Sequence, residues 1–205
     1  MQKPFTFLAL MMIFCLMVSC KNETQNGEEK NNTTEIAEKP IVKRAEKKDL
    51  TPEDIEMLNS LMARIIVEPE LKKFASYTVS AGLTDLLSNN AGPFTVFAPS
   101  NAALESLTVE KRKFYSSPDN KAKLEEFLKS YIVEGNLEKE TLLQTINKNG
   151  KANLKTLEGS TLVASKVGED ISITDDKGVK VQVIKGSIAS SNGAVYVVNG
   201  LLHLN

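Results

Sequence analysis

The run Gly92-Pro93-Phe94-Thr95-Val96-Phe97-Ala98-Pro99-Ser100-Asn101 constrains this chain more than any other stretch. Phe94, Val96 and Ala98 alternate with Thr95, Phe97 and Pro99, and both sets are mostly apolar. A strand of that kind has to be covered on both faces. Pro99 brings no N–H to a ladder, so the strand should stop there. Ser100 or Asn101 can then cap a helix that starts at once. Gly92-Pro93 sets a tight entry. Every residue has a packing job and none is a poised nucleophile, so the junction reads as framework rather than as a catalytic elbow.

The chain around it divides in two. Thr51-Pro52-Glu53-Asp54 supplies a cap, a first-turn proline and two acidic residues at a positive helix end. Ile55, Leu58, Met62 and Ile65 then fall on one helical face. Pro69 opens a second helix, with Leu71, Phe74, Ala75 and Thr78 on a stripe and Gly82 as a stop. A short helix is expected near Val109–Tyr115. A stronger one runs from Pro118, with Leu124, Phe127, Leu128 and Tyr131 at helical spacing. Later segments alternate with period two: "NLKTL", "TLVASKV", "DISIT", "VKVQVI", "AVYVV" and "LLHL", punctuated by glycine turns and by Ser191-Asn192-Gly193. Helices first and antiparallel strands after is an α+β pattern. The folded body is expected over residues 51–205, long enough for one domain with a full core.

Residues 1–19 read as a secretory signal: a lysine, an apolar core from Phe5 to Val18, then a small residue. That core is too short to span a bilayer as a helix. Leu16-Met17-Val18-Ser19-Cys20 resembles the lipobox of bacterial lipoproteins, which implies acylation of Cys20 and anchoring to a lipid bilayer. The plainer alternative is a signal peptide that happens to contain a cysteine. Cys15 would leave with the signal, so no intrachain disulfide is expected. Residues 20–50 carry seven acidic and seven basic residues and no aromatic. They cannot offset their chain entropy by burial and should form a disordered tether with a reach of roughly 30 Å. Lys21-Asn22-Glu23 loosely resembles a signal that sends lipoproteins to the cell surface. The implied location is the bacterial envelope, at the outer membrane and surface-exposed.

Catalysis has little to stand on. His203 is the one histidine, and the alternation of Leu202-His203-Leu204 reads as a strand residue that faces solvent or caps an edge. No G-x-S-x-G, H-E-x-x-H or phosphate-cradling glycine pattern occurs. Glu125-Glu126 and Asp175-Asp176 read as solvated surface, and no cofactor or metal is implied. A net charge of −1 gives nucleic acid no electrostatic footprint.

"GPFTVFAPSNAAL" closely resembles the first sequence motif of fasciclin domains. "AGLTDLLSNNAGPF" is similar to the helix that leads into it, "NKAKLEEFLKSYIVEGNL" to the middle segment, "LKTLEGSTLVAS" to a hairpin, and "IASSNGAVYVVNGLL" to the second motif. The resemblance spans residues 66–204. It implies a wedge-like antiparallel β-sandwich with several packed helices, and a non-enzymatic adhesion or binding module. The framework positions it marks are Gly92, Pro93, Phe94, Thr95, Phe97, Ala98, Pro99 and Asn101 in the first motif. Tyr131 marks the middle segment, and Asn192, Gly193 and Val197 the second motif. Three departures matter. Ile132 follows Tyr131 where the family has His, and Tyr196 stands where His is usual. Ser187-Ile188 replaces the Asp-Ile pair of adhesive animal relatives, so integrin-type recognition is not carried over. Tyr131, Ser187 and Ile188 remain as candidate contact residues, with a buried, hydrogen-bonded role as the favoured reading of Tyr131. The expected partner is an envelope component, a glycan or a surface protein. A periplasmic scaffolding lipoprotein and an enzyme with an unrecognised carboxylate site are the alternatives.

Overall fold

The computed structural model describes residues 49–89 and 92–202. The signal, Cys20, nearly all of the tether, and His203 lie outside the described residues. The helical half comprises α1 (Pro52–Leu58), α2 (Leu61–Val67), α3 (Lys72–Ala81) and α4 (Thr84–Ser88). After β1 (Phe94–Pro99) come α5 (Asn101–Glu105), α6 (Val109–Ser116), α7 (Lys121–Lys129) and the short β2 (Ile132–Glu134). Helix α8 (Lys139–Asn149) leads into β3 (Ala152–Lys155), β4 (Thr161–Val167), β5 (Asp170–Thr174), β6 (Lys180–Ser190) and β7 (Gly193–Val198).

The strands form one seven-stranded sheet in the order β2-β1-β7-β6-β5-β4-β3. The long β6 belongs to both halves. Register shifts between Val183 and Lys185, and between Lys185 and Ile188, bend it, as bulges do. The far edges curl back towards each other: Val133 bridges Thr156, and the Leu157 N–H donates to the Ile132 carbonyl at 2.8 Å. The sheet is nearly a barrel, with helices packed around it.

The α+β expectation holds, with one correction to the strand directions. Pairing is antiparallel throughout except between β1 and β7, which run parallel. The register sets Phe94 opposite Gly193, Phe97 opposite Tyr196 and Ala98 opposite Val197. The two motifs, far apart in the chain, are therefore neighbouring central strands, and all six residues of each are buried. Pro99 is the last residue of β1 rather than a residue beyond it, because the hydrogen bond there comes from the Ser100 N–H to the Val198 carbonyl at 2.9 Å.

The first helix departs further. Ile55 and Leu58 are about half exposed while Met62 and Ile65 are buried, so the four do not share one core-facing stripe. The helix breaks at Asn59-Ser60, and Ser60 caps α2 by accepting from the Ala63 N–H. The turn before β7 takes up the break: Ser191 donates through Oγ to the Glu56 carbonyl at 2.9 Å and through its N–H to the Asn59 carbonyl at 2.8 Å. The stripe Leu71, Phe74 and Thr78 is buried, and α3 ends at Gly82 as read. Helix α8 was not anticipated; it packs Leu142 and Ile146 against β3 and β4. Leu201 and Leu202 form no strand, although both are buried.

Candidate functional site

The motif residues converge on the core. Asn192 is 6% exposed and ties three segments together. Its Oδ1 accepts from the Leu61 N–H at 2.8 Å, and its Nδ2 donates to the Leu87 and Asn89 carbonyls at 3.2 and 3.0 Å. Thr95 donates to the Gly135 carbonyl at 2.7 Å and accepts from the Leu137 N–H at 2.9 Å. Ser100 caps α5. Asn101 does something else: it accepts from the Lys73 N–H and donates to the Pro69 carbonyl, each at 2.9 Å. It thereby caps α3 from a distant segment. Gly92 lies against the Asn192 carbonyl, and Pro93 is exposed.

Tyr131 is fully buried, so it offers no surface to a partner. Burial pushes its phenol well above the usual tyrosine range. Ser187 and Ile188 sit half-buried at the β6 bend, beside Tyr196. The Tyr196 ring stacks on Phe97 at 5.2 Å, and its hydroxyl donates to the Leu137 carbonyl at 2.6 Å. Burial raises the Tyr196 phenol to about 12, against the hydrogen bond from Ser187. Tyr131 meets Phe127 and Leu202, whereas Ser187 lies against Tyr196.

What Tyr131 supports is a surface groove of about 640 Å³ that sequence reasoning missed. Four rings form a chain from solvent to core. Phe114 packs edge-on to Tyr115 at 5.5 Å, Tyr115 stacks on Phe127 at 4.8 Å, and Phe127 meets Tyr131 edge-on at 5.3 Å. Phe114 is 44% exposed, Tyr115 half-buried and Phe127 buried. The order follows from local structure. Thr108 caps α6, which presents Phe114 and Tyr115 to α7, and α7 buries Phe127 on its inner face. The turns after β3 and β5 form the opposite wall with Glu158, Ser160, Asp176 and Lys177. The second turn is held by Asp175, whose carboxylate accepts from the Lys177 and Val179 N–H groups at 3.0 and 2.8 Å. On the rim, Lys123 and Glu126 pair at 2.8 Å. Burial raises the Tyr115 phenol above its ordinary value, helped by nearby Tyr77.

The one clue in the sequence was an adjacent Phe-Tyr pair on a short helix rich in charged residues. Among the described residues no group of three or more His, Cys, Asp or Glu could hold a metal ion. The groove offers stacking faces, carboxylates and ammonium groups, which suits it to holding a ligand.

Fold and groove together define a single α+β module built around two central parallel strands, with a concave aromatic-floored surface. A family model for the fasciclin domain matches residues 69–204. The chain belongs to the fasciclin domain family. It is similar to "Stabilin-2" of Mus musculus, 28% identical over 132 residues, covering 63% of this chain and 5% of that protein. It is similar to "Protein sll1483" of Synechocystis, 28% identical over 150 residues, covering 70% of this chain and 74% of the relative. "Periostin" of Homo sapiens is 26% identical over 147 residues, covering 70% and 16%. The animal relatives are thus many times longer than the stretch they share with this chain. Among solved structures, a FAS1 domain pair from the insect cell adhesion molecule fasciclin I superposes with a TM-score of 0.62 at 15% identity, covering 70% of this chain and half of that one. That likeness establishes the fold.

Proposed function

We propose that this protein is an exported, lipid-anchored binding module. Cys20 carries the anchor, residues 20–50 form the tether, and residues 51–205 form the fasciclin domain that engages an external partner without turnover. The family's presence in a cell adhesion molecule supports the adhesion reading. The observation that carries it is the groove at α6 and α7, where a 44%-exposed phenylalanine tops a chain of rings rooted in the core. A ring left exposed at that level, on a rigid base, is what a recognition surface uses as an anchor.

Two measurements test this. The first is protease digestion of intact cells that carry a C-terminal epitope tag, with Cys20→Ala as control. Digestion of the wild-type domain with a periplasmic marker intact supports surface display. Protection until the outer membrane is opened favours scaffolding inside the envelope. Release of the protein from the membrane fraction by Cys20→Ala is the expected result for the anchor. The second is attachment of cells displaying the domain, wild type against Phe114→Ala. Equal attachment would remove the groove from the reading.

A further inference from the structure

We infer that the α6–α7 groove binds an uncharged oligosaccharide; this rests on the groove being the binding surface. Three features point to that chemistry. The first is the floor. Phe114 and Tyr115 stand edge to face, with Tyr115 stacked on buried Phe127. Phe114 and Tyr115 are partly open to solvent. The negative face of an aromatic ring attracts the polarised C–H groups on one side of a pyranose.

The second feature is the polar lining. Three lysines stand against four carboxylates, with two serines between them. A wall so nearly balanced in charge gives no field to attract a polyanion or a polycation. It suits a ligand whose every group both donates and accepts. A sugar hydroxyl can donate to Glu158 while accepting from Lys177, and charge-assisted bonds of this kind are the stronger ones.

The third feature excludes one peptide mode, the addition of a strand. The groove is lined by two helix faces, the residue that ends α7, and two turns; none of its lining residues lies in a strand. No open strand edge is available there for an extended peptide to extend. The volume of about 640 Å³ lies within the range of sites that enclose a small organic ligand, so a short oligosaccharide fits where a folded partner does not.

The test is aromatic ¹H–¹³C NMR of the full-length chain in a zwitterionic detergent, labelled at Phe and Tyr. The probes are maltotriose, cellotriose, laminaritriose and chitotriose, with heparin-derived tetrasaccharide and an apolar decapeptide as comparators. The expected result is a saturable shift of the Phe114 and Tyr115 rings with at least one neutral trisaccharide. Phe114→Ala should weaken that binding by roughly three- to tenfold, the scale of one lost ring contact. Phe114→Tyr should restore it, and Val167→Ala, at an exposed position on β4, should leave it unchanged. No shift with any neutral sugar, or a shift only with the heparin fragment or the peptide, overturns the proposal. In those cases the attachment assay still reports separately. If Phe114→Ala abolishes attachment while sugars fail, the groove remains the binding surface and only its ligand class falls.

Discussion

One phenol satisfies both backbone groups of a residue far along the chain: the Tyr131 hydroxyl donates to the Leu202 carbonyl at 2.9 Å and accepts from the Leu202 N–H at 2.8 Å. Leu202 lies in no strand and is fully buried, so it has no ladder to replace those bonds. Tyr131→Phe keeps the ring under Phe127 but strands a buried donor and a buried acceptor. The expected cost is about 1–3 kcal/mol for each orphaned group, read as a lower urea midpoint. An unchanged midpoint would mean that the terminal segment detaches at little cost and is not part of the cooperative fold.

Asn192 makes a sharper case, because its two ends do different work. Its oxygen serves an N–H of α2 and its nitrogen serves two carbonyls around the end of α4. Asn192→Asp keeps the acceptor and removes the donor, and sets a carboxylate against two carbonyl oxygens in a buried site. Asn192→Ala leaves those two carbonyls and the Leu61 N–H unpaired but brings no charge. Denaturation should therefore rank wild type above Asn192→Ala and Asn192→Ala above Asn192→Asp at neutral pH, with the Asp variant recovering as its carboxyl is protonated. The reverse order of the two variants would show that water reaches this junction.

These contacts also mark where the sequence was readable and where it was not. Phe94 to Ala98 announced a strand covered on both faces, and β4 and β5 coincide with "TLVASKV" and "DISIT", since period-two alternation between glycine turns is a local signal. The break between α1 and α2 was not local. Ile55, Leu58, Met62 and Ile65 keep helical spacing, but Ser191 and Asn192 claim the backbone groups of Glu56, Asn59 and Leu61 from across the domain. The parallel pairing of β1 with β7 was hidden for the same reason, since strand direction depends on the path of everything between them. The groove escaped notice because its floor is assembled from two helices and its far wall from two turns. The motif supplied the buried root, Tyr131, while the exposed tip, Phe114, carried no motif.

Tyr196 links burial to pH. Its folded phenol is raised to about 12 by burial, against about 10 for an unfolded tyrosine. Between those values the unfolded chain has released the proton while the folded chain still holds it. Stability then falls as pH rises. The contribution is fully present below about pH 10 and is lost as pH climbs through the folded value. Urea midpoints measured across that window should decline, and the decline should be shallower in Tyr196→Phe. An identical slope in both proteins would assign the alkaline loss to other groups.

Phe97 and Phe114 should behave as opposites, although both are phenylalanines in ring pairs. Phe97 is fully buried and stacked on Tyr196, so Phe97→Ala should cost about 3–5 kcal/mol. Phe94, 8% exposed, belongs to the same range. Phe114 is largely outside the core, and Phe114→Ala should change stability by no more than about 1 kcal/mol. A large loss for Phe114→Ala would make that ring structural, and its exposure could no longer be read as a binding feature.

Gly193 has the least room of the described glycines. It faces Phe94 across the parallel pair, and a Cβ built there would lie 1.8 Å from the Phe94 carbonyl oxygen, at a φ of +149°. The obstacle is backbone, not the end of a flexible side chain, so accommodation requires β1 and β7 to part. Gly193→Ala should therefore cost about 3 kcal/mol or more. Gly159 is the control. Its φ is +106°, but a Cβ there meets nothing within 4 Å, so Gly159→Ala carries conformational strain alone, about 1–3 kcal/mol. Circular dichroism melts of the two variants separate the effects. If Gly193→Ala melts no lower than Gly159→Ala, the two central strands are not as closely paired as their register implies. If it melts well below, the small residue that opens β7 is what allows the two motifs to sit side by side.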